Sequence, residues 1–236
     1  MKIIVKLMRM IVLVLGLGHV GNLRADVLSV SQAGQDRWVI EEVFNFKTSG
    51  YFVDIGAVDG YYINNTYILE KFWHWQGICI EANPHWMRAL NANRICIKIN
   101  ACLDYTNHEI EFRCHPAGLL DGIIDNDTDN KRDGAPPDSD VLKMQTKTLE
   151  QVLDECNAPH VIDFLSIDVE GAETRIFKNF PFHKYTFLAM CVERPTLELH
   201  NQLCSEGYVF VKKGLFDVFY VHHSIPNFER IKKDPL

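Results

Sequence analysis

The sequence lacks most features that would declare its class. It has no run of about 20 apolar residues, so nothing in it reads as a standard membrane-spanning helix. Positive charge is scarce: 24 Lys+Arg stand against 31 Asp+Glu, a formal charge of −7. A general nucleic-acid binder needs a basic face to displace counterions. The balance excludes that class, and no nucleic-acid partner is expected. There is no P-loop Gly-Lys-Ser/Thr, no His-Glu-x-x-His and no Cys/His zinc spacing. The seven cysteines are odd in number, so they cannot all pair within one chain.

What is present fits a globular protein. The 236 residues are 47% hydrophobic and 11% aromatic, too apolar for a disordered chain. Charge is unevenly spread. Lys2, Lys6, Arg9 and Arg24 precede any acid, and the remaining 20 basic residues face all 31 acids, a balance of −11. The basic start, the apolar run Ile11–Leu17 and Leu23-Arg24-Ala25 form a signal-peptide pattern over residues 1–25. Export, or membrane association through this leader, is the expectation. The alternative is a cytoplasmic protein, which suits Cys79, Cys96 and Cys191, placed as free thiols inside buried strands.

Gly16-Leu17-Gly18-His19-Val20-Gly21 matches the dinucleotide pattern G-x-G-x-x-G by letter. That pattern needs a following helix and a second strand ending in an acid. Asp26 comes too soon, and the residues before Asp36 do not read as a strand, so these glycines belong to the leader.

From residue 31 strands and helices alternate. A helix is expected over Asp36–Phe46, then a strand at Tyr51–Ile55, a helix at Thr66–Trp73, and a strand at Ile78–Ile80. A helix from Pro84 to Leu90 and strands at Ile95–Ile99 and Ile110–Cys114 follow. Residues 115–140, rich in Asp, Gly and Pro, read as a long loop. The alternation resumes with a strand at Val141–Thr146, a helix at Leu149–Cys156, a strand at Val161–Ile167 and a helix at Ala172–Phe180. A strand at Phe187–Val192, a helix at Thr196–Cys204 and two short strands around Gly214 complete it. Apolar strands without alternation indicate a parallel sheet covered on both faces. One α/β domain over residues 31–228, with a single core, is the expectation.

In such a sheet, ligands bind outside the carboxyl ends of the strands. The first strand is followed by Gly56-Ala57-Val58-Asp59-Gly60, where glycines permit close backbone approach. The second ends at Glu81, an acid placed to accept hydrogen bonds from a ribose diol. Asp104 follows the third, Asp168-Val169-Glu170-Gly171 the fourth, and Glu193-Arg194 the fifth. Without a pyrophosphate-type glycine pattern, a nucleoside ligand such as S-adenosylmethionine is favoured over NAD or ATP.

Gly50–Gly60, Asn65-Thr66, Gly77–Pro84 and Ile162–Glu173 resemble, in order, the motifs of the FkbM-type methyltransferases. Ser31-Gln32 with Gln35-Asp36 also matches the start of that family's domain. The resemblance implies a class I, Rossmann-like methyltransferase fold: an α/β architecture with a mostly parallel seven-stranded sheet, helices on both faces and an antiparallel C-terminal hairpin. It implies S-adenosylmethionine as cofactor and a small-molecule or glycan acceptor bearing a hydroxyl. It also implies cofactor contacts from Asp54, Gly56, Ala57, Asp59, Gly60, Glu81 and Asp104. An acceptor hydroxyl also needs a group to take its proton. Asp168 is the first candidate, with Glu170 and Glu193 beside it. A divalent cation is compatible with that acidic edge, but no motif specifies one. Glu173 reads as a carboxylate at a helix start. Some relatives resemble membrane-linked trafficking factors, so the alternative is a non-catalytic interaction protein that keeps the fold.

Overall fold

The structure is a computed structural model that describes residues 28–115, 120–131, 139–231 and 233. The expected leader, its glycine cluster and the Asp133–Asp138 part of the long loop lie outside the described residues.

Three strands open the main sheet: β1 (Tyr51–Ile55), β2 (Gln76–Glu81) and β3 (Ile97–Asn100). The chain then leaves this sheet for β4 (Cys102–Leu103), β5 (Glu109–Cys114), β6 (Gly122–Ile123) and β7 (Asp140–Lys147). It returns with β8 (Val161–Ile167), β9 (Thr186–Glu193), β10 (Tyr208–Lys213) and β11 (Asp217–His222). The seven-stranded sheet runs β10-β11-β9-β8-β1-β2-β3, parallel except for β11, which is antiparallel to both neighbours.

The central strands read Phe-Val-Asp-Ile and Ile-Asp-Phe-Leu-Ser-Ile because both faces are covered. Alternate residues serve opposite layers. Val53 and Ile55 join Ile78, Leu165 and Phe187 beneath α4 (Leu149–Glu155), α5 (Glu173–Phe177) and α6 (Leu197–Ser205). Phe52, Cys79 and Phe164 join Trp38, Ile40 and Ile68 on the other face.

Four expectations need correcting. The expected helix over Asp36–Phe46 is a short turn, α1 (Gln35–Arg37), running into a π-helix over Trp38–Val43. The wide turn buries Trp38, Val39, Ile40 and Val43 together. It ends where Asn45 and Phe46 adopt positive φ. The strand expected from Ile95 starts at Ile97 instead. The amides of Ile95 and Cys96 donate to the two carboxylate oxygens of Glu70, on α2 (Tyr67–Trp73), and are drawn away from the ladder. The segment read as loop contains β6, which pairs with β5. Finally, the single-core expectation misses a separate four-stranded sheet, β4-β7-β5-β6, with its own apolar cluster of Cys102, Ile110, Phe112, Cys114, Ile123 and Ala172.

One buried charge organises the second layer. Arg94, which follows α3 (Met87–Asn93), has no exposed side-chain surface. It donates to Asn64 Oδ1 at 3.0 Å, to Thr66 Oγ1 at 2.9 Å and to the Gly60 carbonyl at 3.3 Å. Its charge is met by Glu70 at 3.3 Å and Asp54 at 3.8 Å. Despite its burial, Arg94 and the Ile95 and Cys96 groups hold Glu70 below the usual carboxylate range. Burial wins at Asp54, which is pushed up although Arg94, Thr66 and Asn64 oppose it.

Candidate active site

Because β2, β1 and β8 lie side by side and parallel, Glu81, Ile55 and Ile167 end at one edge of the sheet. There the chain turns sharply. The amides of Gly56 and Ala57 both donate to the Ile80 carbonyl, and the Asp168 amide donates to the Ile55 carbonyl. Gly56 has φ +85°, and a Cβ there would run into the carbonyl oxygen of Asp168. Only glycine lets these two strand ends approach so closely. Gly56→Ala is therefore expected to lower the thermal midpoint by at least roughly 2–4 °C, the shift that about 1 kcal/mol produces in a domain of this size. Calorimetric melting checks it; an unchanged midpoint would contradict this account of the turn.

Above this edge opens a cavity of about 400 Å³. One half is lined by Gly56, Ala57, Glu81 and Ala82, with Cys102, Leu103, Phe112 and Ile123 supplied by the small sheet. Glu81 is fixed by the main chain: Oε2 accepts from the Val58 amide at 2.8 Å and Oε1 from the Asn83 amide at 2.7 Å. Each oxygen keeps a second acceptor site. Burial pushes Glu81 up to about 7, against the pull of those two amides and helped by Asp121 and Asp54.

The other half is acidic. Asp168, Glu170 and Glu193 each offer a carboxylate oxygen, all within 4.8 Å of one another. Asp168 is walled by protein yet open to the cavity. Those walls, followed by the charge and hydrogen bond of Glu193, raise it well above the carboxylate range. Burial and Glu193 push Glu170 up to about 7, with Arg194 opposing. Like charges this close favour the protonated forms of Asp168 and Glu170. Arg194 spans it, 2.9 Å from Glu170 and from Glu193, and 2.8 Å from Asp129. Three convergent carboxylates can take a proton from a hydroxyl or hold a divalent cation.

A sequence model described as the methyltransferase FkbM domain matches residues 54–217. The chain belongs to the FkbM methyltransferase family. The strand order of its main sheet is that of the class I methyltransferase fold, with the antiparallel pair at the C-terminus. Solved structures are similar to this chain at low identity. A precorrin-6y C5,15-methyltransferase from Geobacter metallireducens GS-15 is 13% identical, over 79% of this chain and 85% of that one, with a TM-score of 0.38. The METTL16 MTase domain is 12% identical over 78% of this chain and 64% of that one, with a TM-score of 0.46. A methyltransferase FkbM from Methylobacillus flagellatus KT is 12% identical with a TM-score of 0.47. That alignment covers 82% of this chain but only 48% of the Methylobacillus chain. No curated protein matches the sequence.

Within this FkbM domain, the structure gathers Asp54, Gly56, Ala57, Glu81, Asp168, Glu170 and Glu193 around one cavity. Three other expected residues stand outside its lining. Asp59 turns back to accept from the Tyr61 and Tyr62 amides. Gly60 (φ +74°) packs against Arg94 and Leu90. Asp104 is wholly buried and gripped by Arg175 at 2.6 and 3.1 Å, and Arg175 also reaches Asp125 and Asp127. Glu173 is buried, with Oε1 accepting from the Val169 amide, so it closes the turn after β8.

Sequence reasoning missed several lining residues. Asn65 donates to Ser166 Oγ at 2.9 Å, and Gln35 to Asp217 Oδ2 at 2.7 Å. Both lie in segments that resemble family motifs, which was the available signal. Phe112 and Ile123 gave none, because they reach the cavity only through the fold of the small sheet.

Proposed function

We propose that this protein is an S-adenosylmethionine-dependent O-methyltransferase acting on a hydroxyl of a sugar, glycan or other small metabolite. The observation that carries this reading is the pairing, in one cavity, of the Gly56 turn and Glu81 with the Asp168 cluster. When bound, S-adenosylmethionine supplies an electrophilic methyl group on a sulfonium. Gly56 and Ala57 line the cavity at the turn after β1, where a ligand can approach the main chain closely. The free acceptor sites of Glu81 suit a ribose diol. Ala82, Leu103, Phe112 and Ile123 offer apolar walls of the kind an adenine needs.

The chain's own contribution is alignment, water exclusion and proton transfer. Asp168, as carboxylate, would take the proton from the acceptor hydroxyl. Burial, with the charges of Glu193 and Glu170, raises its basicity, which favours proton abstraction. Arg194 limits the accumulated negative charge. Asn65 and Gln35, both at the cavity wall, orient Ser166 and Asp217 beside the acceptor.

Titration calorimetry with S-adenosylmethionine tests the reading. The wild type is expected to bind, and Glu81→Ala to bind roughly 10- to 100-fold more weakly, the scale of one or two lost charge-assisted hydrogen bonds. No binding by the wild type, or equal binding by the variant, would refute it.

A further inference from the structure

We infer that Cys79 and Cys96 form an oxidation site, which a small disulfide such as glutathione disulfide converts, in the folded protein, into a bond that clamps the chain between them. The first observation is contact. The Cys96 thiol donates to Cys79 Sγ at 3.5 Å. β2 and β3 place Cys79 opposite Lys98, two residues beyond Cys96, so alternation sets both thiols on one face of the sheet. Both pack in the cluster that holds Trp38, Phe52 and Ile68. The second observation is that both main chains are pinned. Cys79 is wholly buried inside β2. The Cys96 amide donates to Glu70 Oε2 at 2.9 Å, and Arg94, two residues before it, has no exposed side-chain surface. Two thiols held in contact need little movement to bond.

The two thiols differ in access, and that sets the order of events. Cys96 is partly exposed, whereas Cys79 is enclosed and burial pushes its thiol well above the ordinary range. The attacking species is a thiolate, which nearby positive charge favours. The Arg94 charge acts on both sulfurs. Cys96 attacks the small disulfide first, forming a mixed disulfide and releasing one small thiol, which carries off the Cys96 proton. Cys79 then attacks the Cys96 sulfur and displaces the second small thiol, which leaves with the Cys79 proton. The protein gives up two hydrogens, and the small disulfide is reduced to two thiols. The clamped segment carries Glu81, α3 and Arg94. Disulfides persist in oxidising compartments and are reduced in the cytosol. The state of the pair therefore follows which of the two locations expected from the sequence the protein occupies. This inference does not depend on methyl transfer.

Incubation of the full chain with glutathione disulfide in native buffer, followed by non-reducing digestion and mass spectrometry, tests it. A linked Cys79–Cys96 peptide that reduction separates is expected. Peptide mapping distinguishes it from an adduct on the exposed Cys204. In Cys79→Ala the mixed disulfide should be trapped, so that Cys96 gains glutathione. In Cys96→Ser, Cys79 should stay unmodified. The two cysteines are 17 residues apart. The oxidised wild type should therefore melt roughly 5–10 °C above the reduced form, the scale for closing a loop of that length in a domain of this size. No linked peptide, a linked peptide formed only in urea, or no adduct on Cys96 in Cys79→Ala would each overturn the proposal. An unchanged or lowered midpoint would overturn the clamp.

Discussion

Asp168→Asn is expected to lower kcat for methyl transfer by roughly 10²- to 10⁴-fold, the usual worth of a positioned general base. The amide keeps the size of the side chain and removes its basicity. Because the role proposed for Asp168 is toward the acceptor hydroxyl, affinity for S-adenosylmethionine should change by less than about threefold, within 1 kcal/mol. Product formation with a hydroxyl acceptor and calorimetry with the cofactor give the two numbers. A variant that loses cofactor binding and turnover together would make Asp168 a structural residue. The pH profile adds a signature. Burial and the Glu193 charge lift Asp168 well above the carboxylate range, and Glu170 beside it is lifted to about 7. The reactive form is the carboxylate, so wild-type kcat/KM should rise with pH through the neutral region and fall below it. Glu193→Gln removes the neighbouring negative charge, so that rise should move to lower pH. A shift to higher pH would contradict the assigned cause.

Arg94→Met is expected to cost about 3–5 kcal/mol of stability in urea unfolding, the typical penalty for leaving buried partners uncompensated. Methionine fills much of the volume, so packing alone accounts for little of it. What remains is Asp54 and Glu70, buried at 3% and 5% exposure, without their shared cation. The triple variant Arg94→Met/Asp54→Asn/Glu70→Gln should recover a large part of the loss, since neutral amides are cheaper to bury. Equal instability of the single and triple variants would place the cost in packing or in the lost Asn64 and Thr66 hydrogen bonds.

The main sheet was legible because its central strands are doubly buried and carry long apolar runs. Tyr51–Ile55 and Val161–Ile167 match the expected bounds. Glu81 and Asp168 were legible because an acid that closes such a run falls at the sheet's carboxyl edge. The same rule failed to distinguish Asp104 and Asp59. Their positions after strands are right, but Arg175 takes the first and two local amides take the second. A distant arginine leaves no mark on the local pattern. The β3 boundary was displaced for a similar reason: the Glu70 carboxylate competes for amides that strand propensity alone would assign to the ladder. The cavity wall from Phe112 and Ile123 depends on the small sheet folding against the main one, a contact that no periodicity encodes.

The position of β1 between β2 and β8 has a consequence for how the protein comes off the ribosome. The Tyr51 amide is bound by Asp163, 112 residues further along the chain. The β1–β2–β3 segment therefore emerges with the outer side of β1 unpaired, and closure of that long loop comes late. Gly56 and Glu81 are synthesised early but face no cavity until β8 docks and brings Asp168 with it. A nascent chain halted before Val161 would present an open β1 edge, prone to pairing with other chains. The complete cavity, lined also by Glu193 and Asp217, is thus a feature that only a nearly finished polypeptide acquires.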